Sequence, residues 1–284
     1  MNINMVKTAR LSLLALCLAL ALCACKQVSE PFFFVQITDP QMGFKEKGEI
    51  GRSVRLLTET VDAINRIQPP FVIVTGDMLN HWDSPVEAAA YDSLMARIDP
   101  GIKVYQIPGN HDFRPLKEEG KGSDTFYMDR YGYDRFVFTY GGCLFLGFNS
   151  CYVMDAMEEK EAEQYEWIVS NLDKYRGKVD RIFLFSHCPI IKTSPDEEAD
   201  YFCFSSPYRE KYLNLCKEFN VDAVFAGHFH RARSVRNDGT LHVTCTSSGW
   251  PLGDGFSAIN VVSVRPEGVS FDMVPPEEAV APEL

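Results

Sequence analysis

The sequence is short of positive charge. Lysine and arginine together number 28, against 39 aspartate and glutamate residues, so the formal net charge is −11. Loss of Lys7 and Arg10 with an amino-terminal leader would lower it by two, to −13. General nucleic-acid binding depends on lysine and arginine neutralising phosphates. So acidic a chain argues against that class of function, and we expect no nucleic-acid partner.

Long apolar runs are also scarce, and the only one is Leu11–Leu22. It is shorter than the roughly 20 residues of a membrane span and follows a basic start, which is typical of a signal peptide. It ends in Leu22-Cys23-Ala24-Cys25, which resembles the lipobox of bacterial lipoproteins. We therefore predict a lipoprotein signal peptide over 1–25, with lipidation at Cys25, and a tether over 26–31. The protein would be exported and held at the bacterial cell envelope only through lipid. An ordinary cleaved signal is the alternative.

The cysteines do not form the pattern of a small disulfide-rich protein. Nine are present, and six of them lie beyond the leader, at Cys143, Cys151, Cys188, Cys203, Cys216 and Cys245. Disulfide frameworks belong to small secreted domains, whereas this chain is long enough for one large domain with a full core. Buried free thiols are the simplest interpretation, although export leaves one or two bridges possible. We place the domain at 32–275 and predict a disordered tail over 276–284.

What the sequence does contain is five apolar runs of strand length that stop at metal-binding residue types. The runs are 33–38, 71–76, 104–107, 181–186 and 221–227, and they lead to Asp39-Pro40-Gln41, Asp77, Asn110-His111-Asp112, His187, and His228-Phe229-His230. Short runs of valine, isoleucine and phenylalanine bounded by glycine or proline predict buried strands. In α/β sheets, ligands bind beyond the carboxyl ends of the strands. The pattern therefore predicts a metal centre at one edge of the sheets.

Helical and further strand patterns lie between and after these runs. Helices are predicted over 53–67, 85–98, 159–172 and 208–219, a hairpin over 136–140 and 144–148, and strands over 241–246, 258–264 and 269–273. The alternation predicts an α/β fold. Two long segments with weak patterns, 114–132 and 191–205, each follow a motif directly. We expect them to rim the site, although plain surface insertions would look the same.

The chemistry of the strand ends favours two metal ions. The candidate ligands offer only nitrogen and oxygen: Asp39, Gln41, Asp77, Asn110, His187, His228 and His230. Such donors suit Mn, Fe, Zn or Mg better than soft metals. Seven are too many for one structural zinc ion, which closes at four, but they suit two ions that share a carboxylate. Each residue alone would be weak evidence, since a single histidine after a strand is more often part of the core.

Together the motifs resemble the calcineurin-like metallophosphoesterase superfamily. Asp-x-Gln, Gly-Asp-x-x-Asn, Gly-Asn-His-Asp, a single histidine and Gly-His-x-His occur in that family's order, over residues 32–231. Within the family, Thr-Asp-Pro-Gln and Gly-His-x-His-Arg are most similar to the calcineurin-like phosphoesterase domain-containing group of animals. The resemblance implies a four-layer αββα sandwich, in which two mixed β-sheets are flanked by helices and a dinuclear site lies at the carboxyl ends of the strands.

The resemblance also implies roles for individual residues. Asp77 would bridge the two metals; Asp39, Gln41 and His230 would complete one ion, and Asn110, His187 and His228 the other. A bridging hydroxide would attack phosphorus, with His111 as the general acid that protonates the leaving oxygen. The expected activity is hydrolysis of phosphomonoesters in a small molecule or a phosphoprotein. A phosphodiesterase or nucleotide pyrophosphatase is the alternative, followed by a non-catalytic lipid-anchored binding protein.

Some positions depart from the family pattern. Gln41 stands where many relatives have histidine, which favours Mn or Fe over Zn. Asn80 and His81 stand where calcineurin-type protein phosphatases have aspartate and arginine, so a carboxylate that orients the catalytic histidine is missing and that type of enzyme is not expected. Asn80 also replaces the metal-binding tyrosine of purple acid phosphatases.

Three residues are candidate substrate contacts, although each could equally be a packing or loop residue: Arg114, Tyr201 and Trp250. His81 and His242 belong to no motif and are interpreted as surface or packing residues.

Overall fold

The computed structural model describes residues 30–113, 125–253 and 255–284. The strands of this part are β1 Phe32–Ile37, β2 Phe71–Thr75, β3 Lys103–Ile107, β4 Phe136–Tyr140, β5 Cys143–Gly147, β6 Arg181–Phe185, β7 Ala223–Ala226, β8 Arg233–Asn237, β9 Thr240–Thr244, β10 Ile259–Arg265 and β11 Gly268–Val274. Its helices are α1 Gly51–Ile67, α2 Pro85–Met95, α3 Thr125–Tyr131, α4 Cys151–Met154, α5 Glu158–Tyr175 and α6 Ser206–Phe219.

The strands form two mixed sheets. The first has the order β11-β10-β1-β2-β3 and the second β4-β5-β6-β7-β9-β8. β1, β2 and β3 run parallel, as do β5, β6, β7 and β9, while β10, β11, β4 and β8 pair antiparallel. Of the parallel strands that carry the motifs, β1, β2, β6 and β7 are central and β3 lies at the edge of the first sheet, and their carboxyl ends meet at one end of the sandwich.

Phenylalanine fills the space between the sheets. Phe34, fully buried on β1, contacts Phe145 of the opposite sheet edge-on, with ring centroids 5.5 Å apart. The alternate residues of β1, Val35 and Ile37, point to the other side and join a separate core against the helices. Both faces of the strand are thus buried, which explains why these strands are continuous apolar runs without alternation.

The helices cover the outer faces of the sheets. α1 packs Leu57, Val61 and Ile64 on the first sheet, at the spacing of an amphipathic helix. α5 and α6 cover the second sheet, where Ile168 and Tyr212 are fully buried. The four-layer αββα sandwich is therefore confirmed. Ser84 caps α2, since its hydroxyl accepts a hydrogen bond from the Glu87 amide.

Three elements escaped the sequence patterns. α3 lies inside the predicted loop 114–132, and its Tyr127 is buried in the core on α1 and α2. α4 is a single turn. β8 is an edge strand whose residues Arg233–Asn237 are largely exposed, so it lacks an apolar signal.

The predicted disordered tail is wrong for its first residues. Pro276–Glu278 form a 3-10 helix, and Ala279 is buried in the core around α1. The Arg66 guanidinium donates to the carbonyl oxygens of Pro276 and Ala279, at 2.6 and 3.2 Å. These contacts anchor a segment whose composition alone is typical of disorder, and they extend the domain beyond 275.

The six cysteines from Cys143 onwards are free and buried, as the simpler interpretation predicts. No helix in the described ranges is both long and apolar enough to span a membrane.

Candidate metal centre

The turns that follow the strands are joined to one another by backbone hydrogen bonds. The Asp39 amide donates to the Gly76 carbonyl at 3.0 Å, and the Gln41 amide to the Asp77 carbonyl at 2.9 Å. Across the sandwich, the His228 amide donates to Asp39 Oδ2 at 3.0 Å. Hydrogen bonds therefore hold the turns at the carboxyl ends of both sheets next to one another, around one point.

Two groups of potential ligand atoms lie at this point. Asp77, His187 and His228 form one group, and Asp39, Asp77 and His230 form the other; within each, the ligand atoms lie within 4.8 Å of one another. His187 Nε2 is 3.3 Å from Asp77 Oδ1, and His230 Nε2 is 3.1 Å from Asp39 Oδ1. Asp77 belongs to both groups, which is the position expected of a carboxylate shared by two ions.

The two amide side chains complete the set. Asn110 Oδ1 lies 3.1 Å from His187 Nε2, so the amide oxygen faces the first group. Gln41 follows Asp39 in the same turn, and its Oε1 is buried without a hydrogen-bond partner among the described residues. A buried acceptor left unpaired costs about 1–3 kcal/mol. A cation on the Asp39 side would satisfy it, so the residues present fit two metal ions.

Backbone carbonyls fix the tautomers of the three histidines. His187 Nδ1 lies 2.8 Å from the Thr75 carbonyl, His228 Nε2 2.9 Å from that of Tyr201, and His230 Nδ1 2.7 Å from that of Trp250. In each case the nitrogen that donates to the carbonyl leaves the other as an acceptor directed at the donor groups. Such outer contacts orient metal-binding imidazoles and raise their basicity.

The ligand turns have an unusual backbone. Five of the seven candidate ligands have a left-handed φ: Asp39 at 51°, Gln41 at 40°, Asp77 at 50°, His228 at 65° and His230 at 52°. This region is rare for residues with a side chain, and strain of this kind clusters at functional sites.

Two glycines of the motifs let the turns approach one another. A Cβ on Gly109 would lie 2.1 Å from Asp77 Oδ1, and one on Gly227 would lie 1.8 Å from Thr38 Oγ1. Atoms that are not bonded to each other do not approach so closely, so a side chain at either position would displace its neighbour and glycine is favoured there.

The electrostatics of the site favour positive charge. Burial raises the pKa of Asp77, but the nearby histidines, chiefly His187, together outweigh burial and the pKa falls below its ordinary value. Burial lowers the pKa of His187, yet the Asp77 carboxylate, with Asp39 and the Thr75 carbonyl, raises it to about 9. Burial, reinforced by the charge on His187, lowers the pKa of His228 to about 4. A desolvated set of this kind holds a proton where no cation is bound.

His111 stands beside the donor groups. Its amide donates to Asp77 Oδ1 at 2.8 Å, and its Nδ1 lies 2.9 Å from the Asn80 carbonyl oxygen. The imidazole lines an open cleft of about 410 Å³ together with Asn80, His81, Trp82, Asp83, Asn110, Phe113 and Tyr201. The orienting carboxylate that the sequence lacks is thus replaced by a backbone carbonyl, a contact that sequence comparison does not reveal.

The candidate substrate contacts separate into two places. Tyr201 lines the cleft beside His111 and accepts a hydrogen bond from Asn110 Nδ2 at 2.9 Å. Trp250 lies on the other side, at His230, and the Arg52 guanidinium carbon is 3.0 Å from its ring centre. Arg114 and Cys25 lie outside the described residues. The hydroxyl of Tyr201 therefore fixes which end of the Asn110 amide faces the two donor groups.

The two remaining histidines have different surroundings. The His81 side chain is 64% exposed, and its Nδ1 lies 2.7 Å from Glu87 Oε1, so it is a surface residue that also borders the cleft. His242 is a packing residue, buried on β9 between Val224 and Val235 of the neighbouring strands.

Other contributors were missed from the sequence. Asp112 accepts hydrogen bonds from the amides of Met78, Leu79 and Gly109, so it ties the second and third motifs together. Burial and the nearby Asp77 raise its pKa to about 7. Its position in the Gly-Asn-His-Asp motif could have identified it from the sequence.

Arg209 has no such sequence signal. It donates to the carbonyls of Pro195, Glu197 and Phe204 and holds the segment that carries Tyr201.

The αββα sandwich, with one aspartate common to two nitrogen and oxygen donor groups, defines the class of dinuclear metallophosphoesterases. The family model for calcineurin-like phosphoesterase matches residues 34–232, and the chain belongs to this family. It is a hydrolase that acts on phosphoric esters.

Individual relatives agree with this assignment. The chain is 31% identical to the serine/threonine-protein phosphatase CPPED1 of Danio rerio. The alignment extends over 266 residues and covers 86% of this chain and 84% of that protein. A dimetal phosphatase structure from Danio rerio has the same fold, with a TM-score of 0.59 and 18% identity over 85% of this chain and 99% of that one. A purple acid phosphatase from yellow lupin has a TM-score of 0.62 and 15% identity, over 90% of this chain and 53% of that one.

Proposed function

We propose that the protein is a metal-dependent phosphatase that hydrolyses phosphomonoesters with His111 as general acid. The observation that supports this most directly is the position of Asp77, shared between two donor groups, with the amide of His111 bonded to the same carboxylate. A phosphoryl group held at the donor groups would thus lie beside the imidazole.

Asp39, Gln41, Asp77 and His230 would hold one ion, and Asp77, Asn110, His187 and His228 the other. When bound, two such ions activate water and neutralise the charge of the phosphoryl group. The neutral oxygen of Gln41 is a harder, weaker donor than imidazole, which supports Mn or Fe over Zn.

His111 would act through Nε2. Because Nδ1 donates to the Asn80 carbonyl, the other nitrogen is the one free to exchange a proton within the cleft. Protonation of the leaving oxygen by a positioned acid contributes about 10²–10⁴ in rate. The cleft is open beside it, which leaves room for the alcohol part of an ester.

The substrate would be a phosphorylated small molecule or a phosphoprotein. The serine/threonine-protein phosphatase name of the Danio rerio relative supports the second. Asn80, where calcineurin-type enzymes have aspartate, does not argue against it, because the Asn80 carbonyl orients His111.

We also propose that the protein acts at the cell envelope, lipidated at Cys25. The support is the sequence of the leader alone. Replacement of Cys25 by serine should move the protein from the membrane fraction to the soluble one, and an unchanged distribution would contradict the anchor.

The activity is tested with purified protein loaded with Mn or Fe. We expect p-nitrophenyl phosphate to be hydrolysed faster than bis-p-nitrophenyl phosphate, and Asp77→Asn to lose both metal content and turnover. A faster rate on the diester would favour the phosphodiesterase alternative. Fewer than one ion per chain and no turnover of either ester would indicate a non-catalytic binding protein.

A further inference from the structure

Three cations close to His230 form no direct ion pair with a carboxylate in the part of the chain that the structure describes. They are Lys45, Arg52 and Arg231, and we call them the cationic rim. Each lies against an aromatic ring instead. The Arg52 guanidinium carbon is 3.0 Å from the centre of the Trp250 ring, Lys45 Nζ is 5.5 Å from the same ring, and the Arg231 guanidinium carbon is 5.3 Å from the Phe229 ring.

The rim borders the metal centre. Trp250, on which Arg52 rests, holds His230 through its carbonyl oxygen, and the Phe44 ring is 5.6 Å from the His230 ring. Lys45 and Arg231 follow Phe44 and His230 directly in the chain and are exposed. Arg231 therefore follows the candidate ligand His230 directly in the chain. Lys45 is linked to His230 through the ring of Phe44, and Arg52 through Trp250.

A group of cations beside one site stands out in a chain with a net charge of −11. Some other arginines and lysines pair with carboxylates, as in Arg97–Asp62, Arg181–Asp222 and Lys211–Glu161. The carboxylate near Arg52 is Glu46, which interacts with the Arg52 charge without a direct ion pair and accepts hydrogen bonds from the amides of Arg52 and Ser53 and from the Ser53 hydroxyl. The Arg52 Nε is buried without a hydrogen-bond partner among the described residues.

Stacking on an aromatic ring holds a guanidinium in place while its donors remain available. Arginine binds carboxylate and phosphate oxygens through such donors. On the opposite side of the site, the cleft around His111 contains Asp83 and no lysine or arginine among its described lining residues. Among the described residues beside the site, lysine and arginine are therefore found on the His230 side and not in the His111 cleft.

We propose that the cationic rim binds a second anionic group, a phosphate or a carboxylate, on the same substrate whose phosphate ester is cleaved. This rests on the proposed phosphatase activity and specifies its substrates. The ester oxygen faces His111, and a substrate long enough to bend across the site places its second negative charge against Lys45, Arg52 and Arg231. Esters with one negative group use only the metal centre.

The test compares matched substrates that differ in the second anion. One pair is glycerol 1-phosphate and glycerol 1,3-bisphosphate; the other is a phosphoserine peptide flanked by glutamine and the same peptide flanked by glutamate. For each pair, the ratio of kcat/KM with and without the extra anion is measured. Preference within the first pair identifies a compact substrate, and preference within the second an extended one.

We expect a ratio of about ten in at least one pair, a typical gain for a charged hydrogen bond. Lys45→Gln/Arg231→Gln should reduce that ratio at least fivefold, and Arg52→Gln should do the same. Lys45 and Arg231 are both exposed, so the double variant should fold even in the event that Arg52→Gln, at a half-buried position, fails to fold. Lys103→Gln, an exposed lysine at the amino end of β3 away from the site, should leave the ratio unchanged.

Two results would overturn the proposal. Ratios near one in both pairs would show that no second anion is bound. An equal loss of kcat/KM on all four substrates in the rim variants would show that the cations only attract phosphates in general. Absence of hydrolysis of any monoester would instead overturn the proposed function itself.

Discussion

The Nδ1 of His111 lies 2.9 Å from the backbone carbonyl oxygen of Asn80, which keeps the imidazole turned with Nε2 towards the cleft. A carbonyl is present whatever side chain occupies position 80. The orientation of the histidine is therefore independent of that side chain, in contrast to an arrangement in which a carboxylate holds the ring.

Replacement of His111 by alanine should remove the proton donor and leave the metal ligands in place. We expect turnover of an alkyl phosphate to fall by about 10²–10⁴, because its alkoxide is a poor leaving group. The loss on p-nitrophenyl phosphate should be smaller, since that phenolate leaves without a proton. Metal analysis should give the wild-type content. Asn80→Ala retains the carbonyl and should lose little activity; unchanged alkyl phosphatase activity in His111→Ala would contradict the assignment.

Replacement of Gln41 by histidine should change the metal preference of the site. The unpaired Gln41 Oε1 would give way to an imidazole nitrogen, which Zn favours more than Mn does. We expect the ratio of bound Zn to Mn to rise by about tenfold when the metals compete at equal concentration, a typical effect of ligand changes near a metal. Elemental analysis of the dialysed protein measures this, and Gln41→Asn, which keeps an amide, is the control. Equal ratios in wild type and Gln41→His would show that Gln41 is not a ligand.

Removal of the Tyr201 hydroxyl should loosen the Asn110 amide. Asn110 Nδ2 donates to that hydroxyl, and without it the amide can turn its nitrogen towards the metals. We expect Tyr201→Phe to lower metal affinity or turnover by about tenfold, as is usual when an outer contact of a ligand is lost. Tyr140→Phe, an exposed tyrosine that packs on Phe32, is the matched control. Equal kinetics for the two variants would mean that the amide is fixed by other contacts.

His242 should make the fold sensitive to acid. Burial lowers its pKa to about 4, and neither ring nitrogen has a hydrogen-bond partner among the described residues. Below pH 6.5 the unfolded chain takes up a proton that the folded protein refuses, so stability is present above that pH and is lost as pH falls towards 4. The cost is about 2 kcal/mol at pH 5.

Replacement of His242 by leucine should remove this dependence. The free energy of unfolding of His242→Leu relative to wild type should rise by about 2 kcal/mol between pH 7 and pH 5, measured by urea denaturation. Val235→Leu, a packing change beside the same residue, should differ from wild type by the same amount at both pH values. A constant difference for His242→Leu would show that the histidine is hydrated in solution.

The strand ends could be predicted from sequence because two independent signals coincide there. The run 71–76 is apolar enough to identify β2, and Asp77 follows it directly, so both the element and its ligand were predictable. The glycine-containing motifs after the strands also occur in the order of the calcineurin-like family, which supported the same prediction. Segments whose burial depends on distant residues could not be predicted, as α3 and the 3-10 helix at Pro276–Glu278 illustrate: Tyr127 and Ala279 are buried only because α1 lies nearby.

Backbone contacts were invisible for a different reason. The carbonyls of Thr75, Tyr201 and Trp250 each orient one ligand, but every residue has a carbonyl, so sequence cannot mark which ones matter. Tyr201 and Trp250 were proposed as substrate contacts on account of their rings. The structure adds a role for their main chains that no side-chain pattern reveals.

The left-handed backbone at Asp39, Gln41, Asp77, His228 and His230 limits how these positions can be altered. Alanine there loses the ligand but keeps a Cβ in a region that glycine alone adopts freely. Glycine removes the candidate ligand and the conformational penalty together, so a variant that needs no metal could gain stability at the same five positions. In inactive relatives of this protein, we therefore expect glycine more often than alanine at these five positions.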